Sequence, residues 1–219
     1  MKKIIFGEVE ISPSKIVCVG KNYRAHIAEM GGAGAGSEPA IFIKPNSAIS
    51  FGEDEIVIPE SFGLIHYEVE LCMLIGDECS FVKEADAMTF VSAYCVGLDL
   101  TLRDMQSAAK KFGWPWTLSK GFNGSAPIGG FIPASKIPDP MALEILLKVN
   151  GDFRQRSNTS QMIFSPAKII SYISSYITLE AGDIVMTGTP EGVGPLYNGD
   201  SVIAEIEPCP SLQLRILRT

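Results

Sequence analysis

Polar and apolar residues alternate along the stretch Ile65-His66-Tyr67-Glu68-Val69-Glu70-Leu71-Cys72-Met73-Leu74-Ile75. Such alternation is typical of a β-strand, because successive side chains on a strand point to opposite faces. One face then carries the apolar residues from Tyr67 to Met73, and the other carries the two glutamates, Glu68 and Glu70. The stretch therefore predicts a strand from Ile65 to Ile75 with an acidic pair on one face.

Asp99 supplies a third carboxylate, because it ends the apolar run from Ala93 to Leu98. A buried acid is costly unless it is paired or coordinates a cation. The sequence shows no matching buried cation, so we predict that Glu68, Glu70 and Asp99 bind one divalent ion. Oxygen ligands favour Mg²⁺, Mn²⁺ or Ca²⁺ over zinc. The alternative is a half-exposed sheet face with solvated glutamates and a structural aspartate.

Composition indicates a globular protein without a nucleic-acid surface. Of the 219 residues, 46% are hydrophobic and 20% are charged, which excludes a disordered chain. The net charge is −7 and the basic residues are scattered, whereas nucleic-acid binding needs clustered lysines and arginines. The pair Lys110-Lys111 is best interpreted as a solvated helix end. With two histidines and no ligand spacing, a zinc site is not expected.

The cysteines and the N-terminus favour a cytoplasmic protein. Five cysteines are present, none in a C-x-x-C motif, and most lie in apolar runs; this usage suits a reducing compartment. The apolar segment Ile4 to Phe6 is too short for a signal peptide. Because no apolar run reaches membrane-spanning length, we expect no membrane association.

Strand patterns outnumber helical ones, which predicts an α+β fold with a mixed sheet. Helices are expected at 23–30, 83–91, 101–111 and 165–173, the third with a capping box at Thr101 and the last with Ser165 as N-cap. Asn150-Gly151 predicts a hairpin turn. The predicted strands are 16–19, 40–44, 56–58, 65–75, 93–99, 143–149, 184–187, 202–206 and 212–217.

Two residue pairs on predicted helices are candidates for chemistry. His26 and Glu29 are helical neighbours, and a carboxylate that orients an imidazole makes a general base. The glycine-rich segment that follows predicts a mobile lid over residues 25–36. Arg103 and Gln106 also share a helical face and could bind a ligand's oxygen atoms. The alternative for each pair is a solvated surface position.

Two further segments offer ligand-binding groups. Lys120 is the one cation in the aromatic segment 114–122, where it is either an anion ligand or a surface side chain. Thr189 lies in a glycine-rich loop, residues 187–195, that allows close backbone approach. This loop lacks the lysine of a P-loop, so it does not indicate nucleotide binding.

Taken together, these motifs make the chain resemble the fumarylacetoacetate hydrolase family, in its short acylpyruvase and oxaloacetate decarboxylase-like branch. One departure is Tyr67, where many relatives have a second histidine; in the strand interpretation this position faces away from the acids. The motifs that carry the resemblance are Gly20-Lys21-Asn22-Tyr23 with His26, Ser37-Glu38-Pro39 through Lys44-Pro45, His66-Tyr67-Glu68-Val69-Glu70-Leu71, Leu98-Asp99-Leu100-Thr101-Leu102-Arg103-Asp104, Pro115-Trp116-Thr117-Leu118-Ser119-Lys120, Met162-Ile163-Phe164-Ser165 and Gly182-Asp183-Ile184-Val185-Met186-Thr187-Gly188-Thr189-Pro190.

The resemblance implies a mixed β-roll or sandwich with few short helices. It implies one catalytic domain over residues 1–219, with segment 1–15 packed on it, and a homodimer. It implies Mg²⁺ or Mn²⁺ on the three acids, and His26 with Glu29 as a water-activating pair under a lid. It also implies Lys120 as a catalytic residue near the metal-bound ligand. The substrate-binding residues that it implies are Gln106 and Thr189, and less strongly Arg24 and Arg103.

The expected substrate is a small β-keto acid that chelates the metal. The resemblance implies hydrolysis of the carbon–carbon bond of an acylpyruvate, decarboxylation of oxaloacetate, or both. Keto–enol tautomerisation of oxaloacetate and isomerisation of 2-hydroxyhepta-2,4-diene-1,7-dioate use the same residues and stay open. A metal-dependent keto-acid binding protein is the non-enzyme alternative; the presence of His26, Glu29 and Lys120 favours an enzyme, since a binder needs no base.

Overall fold

The computed structural model describes residues 1–31, 36–52 and 55–219. Most of the glycine-rich part of the expected lid, residues 32–35, lies outside the described residues. The prediction of an α+β fold with mixed sheets and few short helices is confirmed. The described part contains the α-helices α1 (Arg24–Glu29), α2 (Arg103–Phe112), α3 (Thr117–Lys120) and α4 (Pro166–Ser174).

Short strands make up most of the regular structure. In chain order they are β1 (Ile4–Phe6), β2 (Val9–Ile11), β3 (Lys15–Gly20), β4 (Ala40–Pro45), β5 (Ile49–Phe51), β6 (Glu55–Ile58), β7 (Ile65–Tyr67), β8 (Val69–Ile75), β9 (Val91–Leu98), β10 (Thr101–Leu102), β11 (Ala126–Ile128), β12 (Ile132–Pro133), β13 (Glu144–Val149), β14 (Asp152–Asn158), β15 (Ile184–Met186), β16 (Gly194–Leu196), β17 (Ser201–Glu205) and β18 (Leu212–Arg218).

Two large sheets and two small ones organise these strands. The largest sheet has the order β4-β3-β15-β8-β9-β11-β5, with β12 added beside β9. The second has the order β14-β13-β17-β18-β6, and β10-β7-β16 and β1-β2 form the small sheets. The two large sheets are mixed, because β15 pairs with β3, β11 with β5 and β18 with β6 in parallel, whereas the other pairs are antiparallel.

The two faces of β8 enter different parts of the core. Val69, Leu71 and Met73 belong to the main apolar cluster, together with Tyr67. Cys72 lies in a second cluster on the opposite face of the sheet. Alternation along β8 therefore separates the faces as the sequence predicts, and both faces are buried. Because Glu70 points to the same face of β8 as Cys72, its side chain lies inside the molecule.

The prediction of one continuous strand from Ile65 to Ile75 is wrong. The chain changes sheets at Glu68: β7 pairs with β10 and β16, whereas β8 pairs with β9 and β15. The side chain of Gln155 accepts a hydrogen bond of 3.0 Å from the Val69 N–H at the start of β8. The break leaves Glu68 between the two sheets, facing the interior.

Two of the predicted helices differ in the structure. The capping box at Thr101 does not form, because Thr101 and Leu102 pair with β7 as strand β10 and the helix begins at Arg103. The Thr101 hydroxyl donates instead to the carbonyl of Asp99. Segment 83–91 forms a 3₁₀ helix, Glu84–Phe90, rather than an α-helix. At Thr101 the pairing with β7 overrides the local helical pattern.

Other local signals are confirmed. Ser165 caps α4 by accepting a hydrogen bond from the Lys168 N–H, and Pro166 occupies the first helical position. Asn150 and Gly151 both have positive φ angles, 54° and 87°, and join β13 to β14. No helix in the described ranges combines the length and apolar character needed to cross a membrane.

Candidate metal centre

Three carboxylates meet where β7, β8 and β9 approach one another. Glu68 lies between β7 and β8, Glu70 is the second residue of β8, and Asp99 directly follows β9. The Asp99 N–H donates to the Glu68 carbonyl at 2.9 Å, and Glu70 pairs with Gly97 across the sheet. One oxygen from each carboxylate lies within 4.8 Å of the others. The exposed fractions are 5% for Glu68 and 1% for Glu70 and Asp99, so the alternative of solvated glutamates is wrong.

Three buried cations accompany the acids, contrary to the expectation that no matching cation is present. Arg103 Nη2 lies 2.5 Å from Glu68 Oε1, and Lys44 Nζ lies 2.8 Å from Asp99 Oδ1. Lys120 Nζ lies 2.8 Å from Glu68 Oε2 and also contacts Asp99 Oδ2. Glu68 and Asp99 therefore each have buried cationic partners, whereas Glu70 forms no ion pair within the described residues. The partners were missed because they lie far from the acids in sequence.

Glu70 is the least compensated of the three acids. Its Oε2 accepts a hydrogen bond of 2.6 Å from the Gly188 N–H. Burial, together with the charges of Asp99 and Glu68, raises the pKa of Glu70 well above its ordinary value. Burial also acts to raise the pKa of Glu68, but Lys120 and Arg103 outweigh it and the pKa falls.

Lys120 is held in its charged form. Burial alone favours the neutral amine, but Asp99 and Glu68 outweigh this effect and raise the pKa of Lys120 above its ordinary value. An ammonium at this position can stabilise negative charge on a ligand or donate a hydrogen bond. It cannot act as a base at neutral pH.

The donor set fits a hard divalent cation. All three side chains offer oxygen, which suits Mg²⁺ or Mn²⁺. Asp99 Oδ1 accepts no hydrogen bond from the described residues, because Lys44 directs its N–H groups to the carbonyls of Leu100, Lys120 and Ser125. This oxygen therefore keeps lone pairs for a cation. Glu70 lies beside it and is weakly compensated, so its carboxylate would also be stabilised by a bound cation.

His26 and Glu29 lie on α1, which borders the cavity above the acids through His26. His26 lines the cavity, and its Nδ1 lies 3.3 Å from Glu29 Oε2. Glu29 Oε1 accepts a second hydrogen bond, of 3.0 Å, from the Gly192 N–H. Glu29 thus orients the ring through Nδ1, which leaves Nε2 as a proton acceptor. The pair forms as the sequence predicts; its catalytic role stays a prediction.

Three of the four predicted substrate-binding residues line the cavity, and Arg24 does not. Gln106 accepts from Arg103 Nη1 at 2.7 Å, so its amide NH₂ can donate to a ligand. Thr189 accepts from Gln155 Nε2 at 2.9 Å, so its hydroxyl can also donate. Arg24 is exposed on α1 outside the cavity lining, because it lies on a different face of the helix from His26.

The sequence interpretation missed several residues of the site. Lys44 had a usable signal, since a lysine at the end of the apolar strand β4 needs a buried acid as its partner. Lys21 and Lys110 line the mouth of the cavity and have no local signal, because exposed lysines are common. The sequence predicts that Lys110 and Lys111 lie solvated at a helix end. Lys111 fits this prediction better, because Lys110 also lines the cavity. Phe42 and Trp116 also line the cavity.

Comparisons with known proteins identify the family to which this chain belongs. A family model described as fumarylacetoacetate (FAA) hydrolase C-terminal matches residues 15–217. The chain is 47% identical over 201 residues to the mitochondrial oxaloacetate tautomerase FAHD1 of Homo sapiens, covering 92% of this chain and 90% of that protein. It is 47% identical over 190 residues to the oxaloacetate tautomerase YcgM of Escherichia coli K12, covering 86% of each chain.

The fold is shared with solved structures. The crystal structure of fumarylpyruvate hydrolase from Pseudomonas aeruginosa, in complex with Mn²⁺ and pyruvate, has a TM-score of 0.92 and 37% identity to this chain. The match covers 97% of this chain and 93% of that one.

Proposed function

Since the chain belongs to the fumarylacetoacetate hydrolase family, we propose that it is a Mg²⁺- or Mn²⁺-dependent enzyme that interconverts the keto and enol forms of oxaloacetate. One observation carries the proposal: Glu68, Glu70 and Asp99 form a buried oxygen cluster, and Lys120 and His26 line the cavity above it. The relatives named oxaloacetate tautomerase, at 47% identity, support this choice of reaction.

The bound metal would be held by Glu68, Glu70 and Asp99 and would supply Lewis-acid stabilisation of an enolate oxygen. Lys120 adds a fixed positive charge beside the same oxygen, which strengthens that stabilisation in a site with little water. Gln106 and Thr189 donate hydrogen bonds that orient the carboxylate of the substrate. With a divalent metal, the floor of the cavity would gain positive charge, which favours an anionic keto acid.

His26 moves the proton in this proposal. Its Nδ1 is engaged by Glu29, so Nε2 accepts a proton from the carbon between the keto group and the second carboxylate of oxaloacetate. The electron pair of that carbon–hydrogen bond becomes the double bond of the enolate. The proton then returns to the oxygen, which completes the tautomerisation without loss of an atom.

Hydrolysis of an acylpyruvate is the second candidate, with oxaloacetate decarboxylation as a related reaction at the same residues. The structural likeness to a fumarylpyruvate hydrolase supports it. His26 would then remove a proton from water, whose oxygen attacks the distal carbonyl. Cleavage of the carbon–carbon bond places its electron pair on the pyruvate fragment, whose enolate charge Lys120 stabilises. The enolate then takes the proton held by His26, which leaves pyruvate and a carboxylic acid.

A substrate panel with Mg²⁺ tests the proposal. We expect the wild type to accelerate enol-oxaloacetate ketonisation, and we expect Glu70→Ala or chelation of the metal to abolish this activity because the oxygen cluster is then incomplete. Acetylpyruvate, fumarylpyruvate and decarboxylation of oxaloacetate are measured on the same preparation. Full activity of a metal-free preparation would contradict the metal-dependent mechanism, and hydrolysis without tautomerisation would favour the second candidate.

We also propose a homodimer that works in the cytoplasm. Exposed apolar side chains on the surface, among them Phe112, Trp114 and Leu118, support an association between copies. All five cysteines are free and buried, which suits a reducing compartment. Sedimentation at several concentrations tests the dimer, and a monomer at all of them would contradict it.

A further inference from the structure

Two lysines, Lys21 and Lys110, line the mouth of the cavity without a part in the charge balance at its floor. Lys44, Arg103 and Lys120 already pair with Asp99 and Glu68 at the floor. Lys21 and Lys110 are exposed, and neither forms an ion pair within residues 1–31, 36–52 and 55–219. Their two positive charges are therefore available to an anion that enters the cavity.

Helix α2 directs Lys110 toward the same cavity as the substrate-binding candidates. Arg103, Gln106 and Lys110 recur at helical spacing and share one face of α2. Lys110 lies two turns beyond Arg103, which is about 10 Å along the helix axis. Lys110 Nζ lies 5.4 Å from the centroid of the Trp116 ring, a cation–π distance that holds the ammonium against the wall.

An apolar wall joins the floor to this mouth. Lys120 Nζ lies 5.0 Å from the centroid of the Phe42 ring, and the Phe42 and Trp116 centroids are 5.8 Å apart. The two rings therefore separate the cation at the floor from Lys110 at the mouth. A ligand that fills this space meets charged groups at its two ends and aromatic rings between them.

Lys21 has an unusual backbone conformation for its residue type. Its φ angle is 62°, in the left-handed region that non-glycine residues rarely adopt. The neighbouring Asn22 amide donates to the carbonyls of Phe164 and Thr187, and these bonds fix the turn. Strained residues of this kind cluster at ligand-binding sites. Here the turn holds Lys21 at the rim of the cavity.

We propose that Lys110, assisted by Lys21, binds the second carboxylate of a dicarboxylic keto acid, so that the cavity selects diacids. The inference rests on the proposed function, in which the first carboxylate and the keto oxygen lie at the floor. The two positive charges gained there with a divalent metal serve that end of the substrate. Loss of hydration, with the charges of Arg103 and Lys21, lowers the pKa of Lys110.

The test compares Lys110→Met with Lys111→Met, a matched loss of charge one residue along the same helix. Lys111 contacts the Phe112 ring at 5.7 Å and lies outside the cavity lining. Two constants are measured for each protein with Mg²⁺: KM for oxaloacetate and the inhibition constant for oxalate, a dianion with no distal carboxylate. Lys21→Asn, which keeps a residue tolerant of positive φ, tests the assisting charge.

We expect Lys110→Met to raise KM for oxaloacetate by about tenfold, the scale of a lost charge-assisted hydrogen bond. The inhibition constant for oxalate should change less than threefold, kcat should stay close to the wild-type value, and Lys111→Met should move neither constant. Equal changes in both constants, or an equal effect of Lys111→Met, would overturn the distal site. The loss of one positive charge anywhere on this surface would then explain the result. A wild type that binds oxalate without converting oxaloacetate would overturn the proposed reaction and this inference with it.

Discussion

At the scale of single residues, the site is a set of acids and cations in which Glu68 and Asp99 are paired before any ligand binds and Glu70 is poorly compensated. Lys120 contacts both Glu68 and Asp99, so two carboxylates stabilise its ammonium group. Replacing one partner of a buried ion pair leaves the other charge uncompensated, which is strongly unfavourable. A divalent metal can relieve that cost, so metal affinity and the Lys120 charge are coupled.

Lys120→Met should therefore separate metal binding from turnover. We expect the variant to bind Mn²⁺ at least about tenfold more tightly, because a like charge within a few ångströms of the metal is removed. Turnover should fall, because the ammonium no longer stabilises the enolate. Titration calorimetry and kinetics on the same preparation measure both effects, and Lys120→Arg, which keeps the charge, is the control. Unchanged metal affinity would mean that Lys120 moves away from the acids when metal binds.

Variants of the His26–Glu29 pair should distinguish reactions that need a base from those that do not. General-base catalysis contributes about 10²–10⁴-fold, so His26→Ala should lower tautomerisation and acylpyruvate hydrolysis by an amount in that range. Any metal-assisted decarboxylation of oxaloacetate should fall less, because it needs no base. Glu29→Gln should show the same asymmetry more weakly, since it disturbs the orientation of His26. An equal loss in all reactions would assign His26 to substrate binding instead.

At the scale of elements, α4 offers a prediction that is independent of the site. Ser165 accepts a hydrogen bond from the Lys168 N–H and caps a helix whose apolar face packs in the main core. Ser165→Ala should lower the free energy of unfolding by about 1 kcal/mol, measured by urea denaturation, with kcat/KM unchanged. Ser165→Asp restores an acceptor and should recover most of the loss. An equal loss in both variants would point to packing rather than capping.

The elements also show where sequence patterns suffice and where they fail. Alternation identified the buried faces of β8, and Ser165-Pro166 identified the start of α4, because both signals are local. The break at Glu68 and the strand at Thr101 depend on which sheet each segment joins, and that choice is made by distant partners. The same reason explains the site: the acids were found in apolar runs, whereas Lys44 reaches Asp99, and Lys110 the mouth of the cavity, only in the folded chain.

At the scale of the whole molecule, the cluster joins the break between β7 and β8 to the end of β9, so ligand binding and global stability are linked. A metal that binds the folded state alone stabilises it by about 2.7 kcal/mol at a concentration 100 times its Kd. For a domain of this size, 1 kcal/mol corresponds to about 2–4 °C in Tm. We therefore expect Mn²⁺ to raise Tm by about 5–10 °C at that concentration.

Glu70→Gln should separate the stability of the metal-free protein from the additional stability that Mn²⁺ supplies. The wild-type carboxylate is buried beside Glu68 and Asp99 and is poorly compensated without metal, so its charged form destabilises the metal-free fold at neutral pH. The isosteric amide removes that repulsion, and we expect the metal-free Tm of Glu70→Gln to equal or exceed the wild-type value. The same variant should lose the Mn²⁺-induced rise, because one of three oxygen donors has lost its charge. Differential scanning calorimetry with chelator and with Mn²⁺ measures both quantities, and Glu144→Gln, an exposed acid in an ion pair with Arg156, is the matched control. A rise in Tm that persists in Glu70→Gln would place the stabilising metal elsewhere on the molecule.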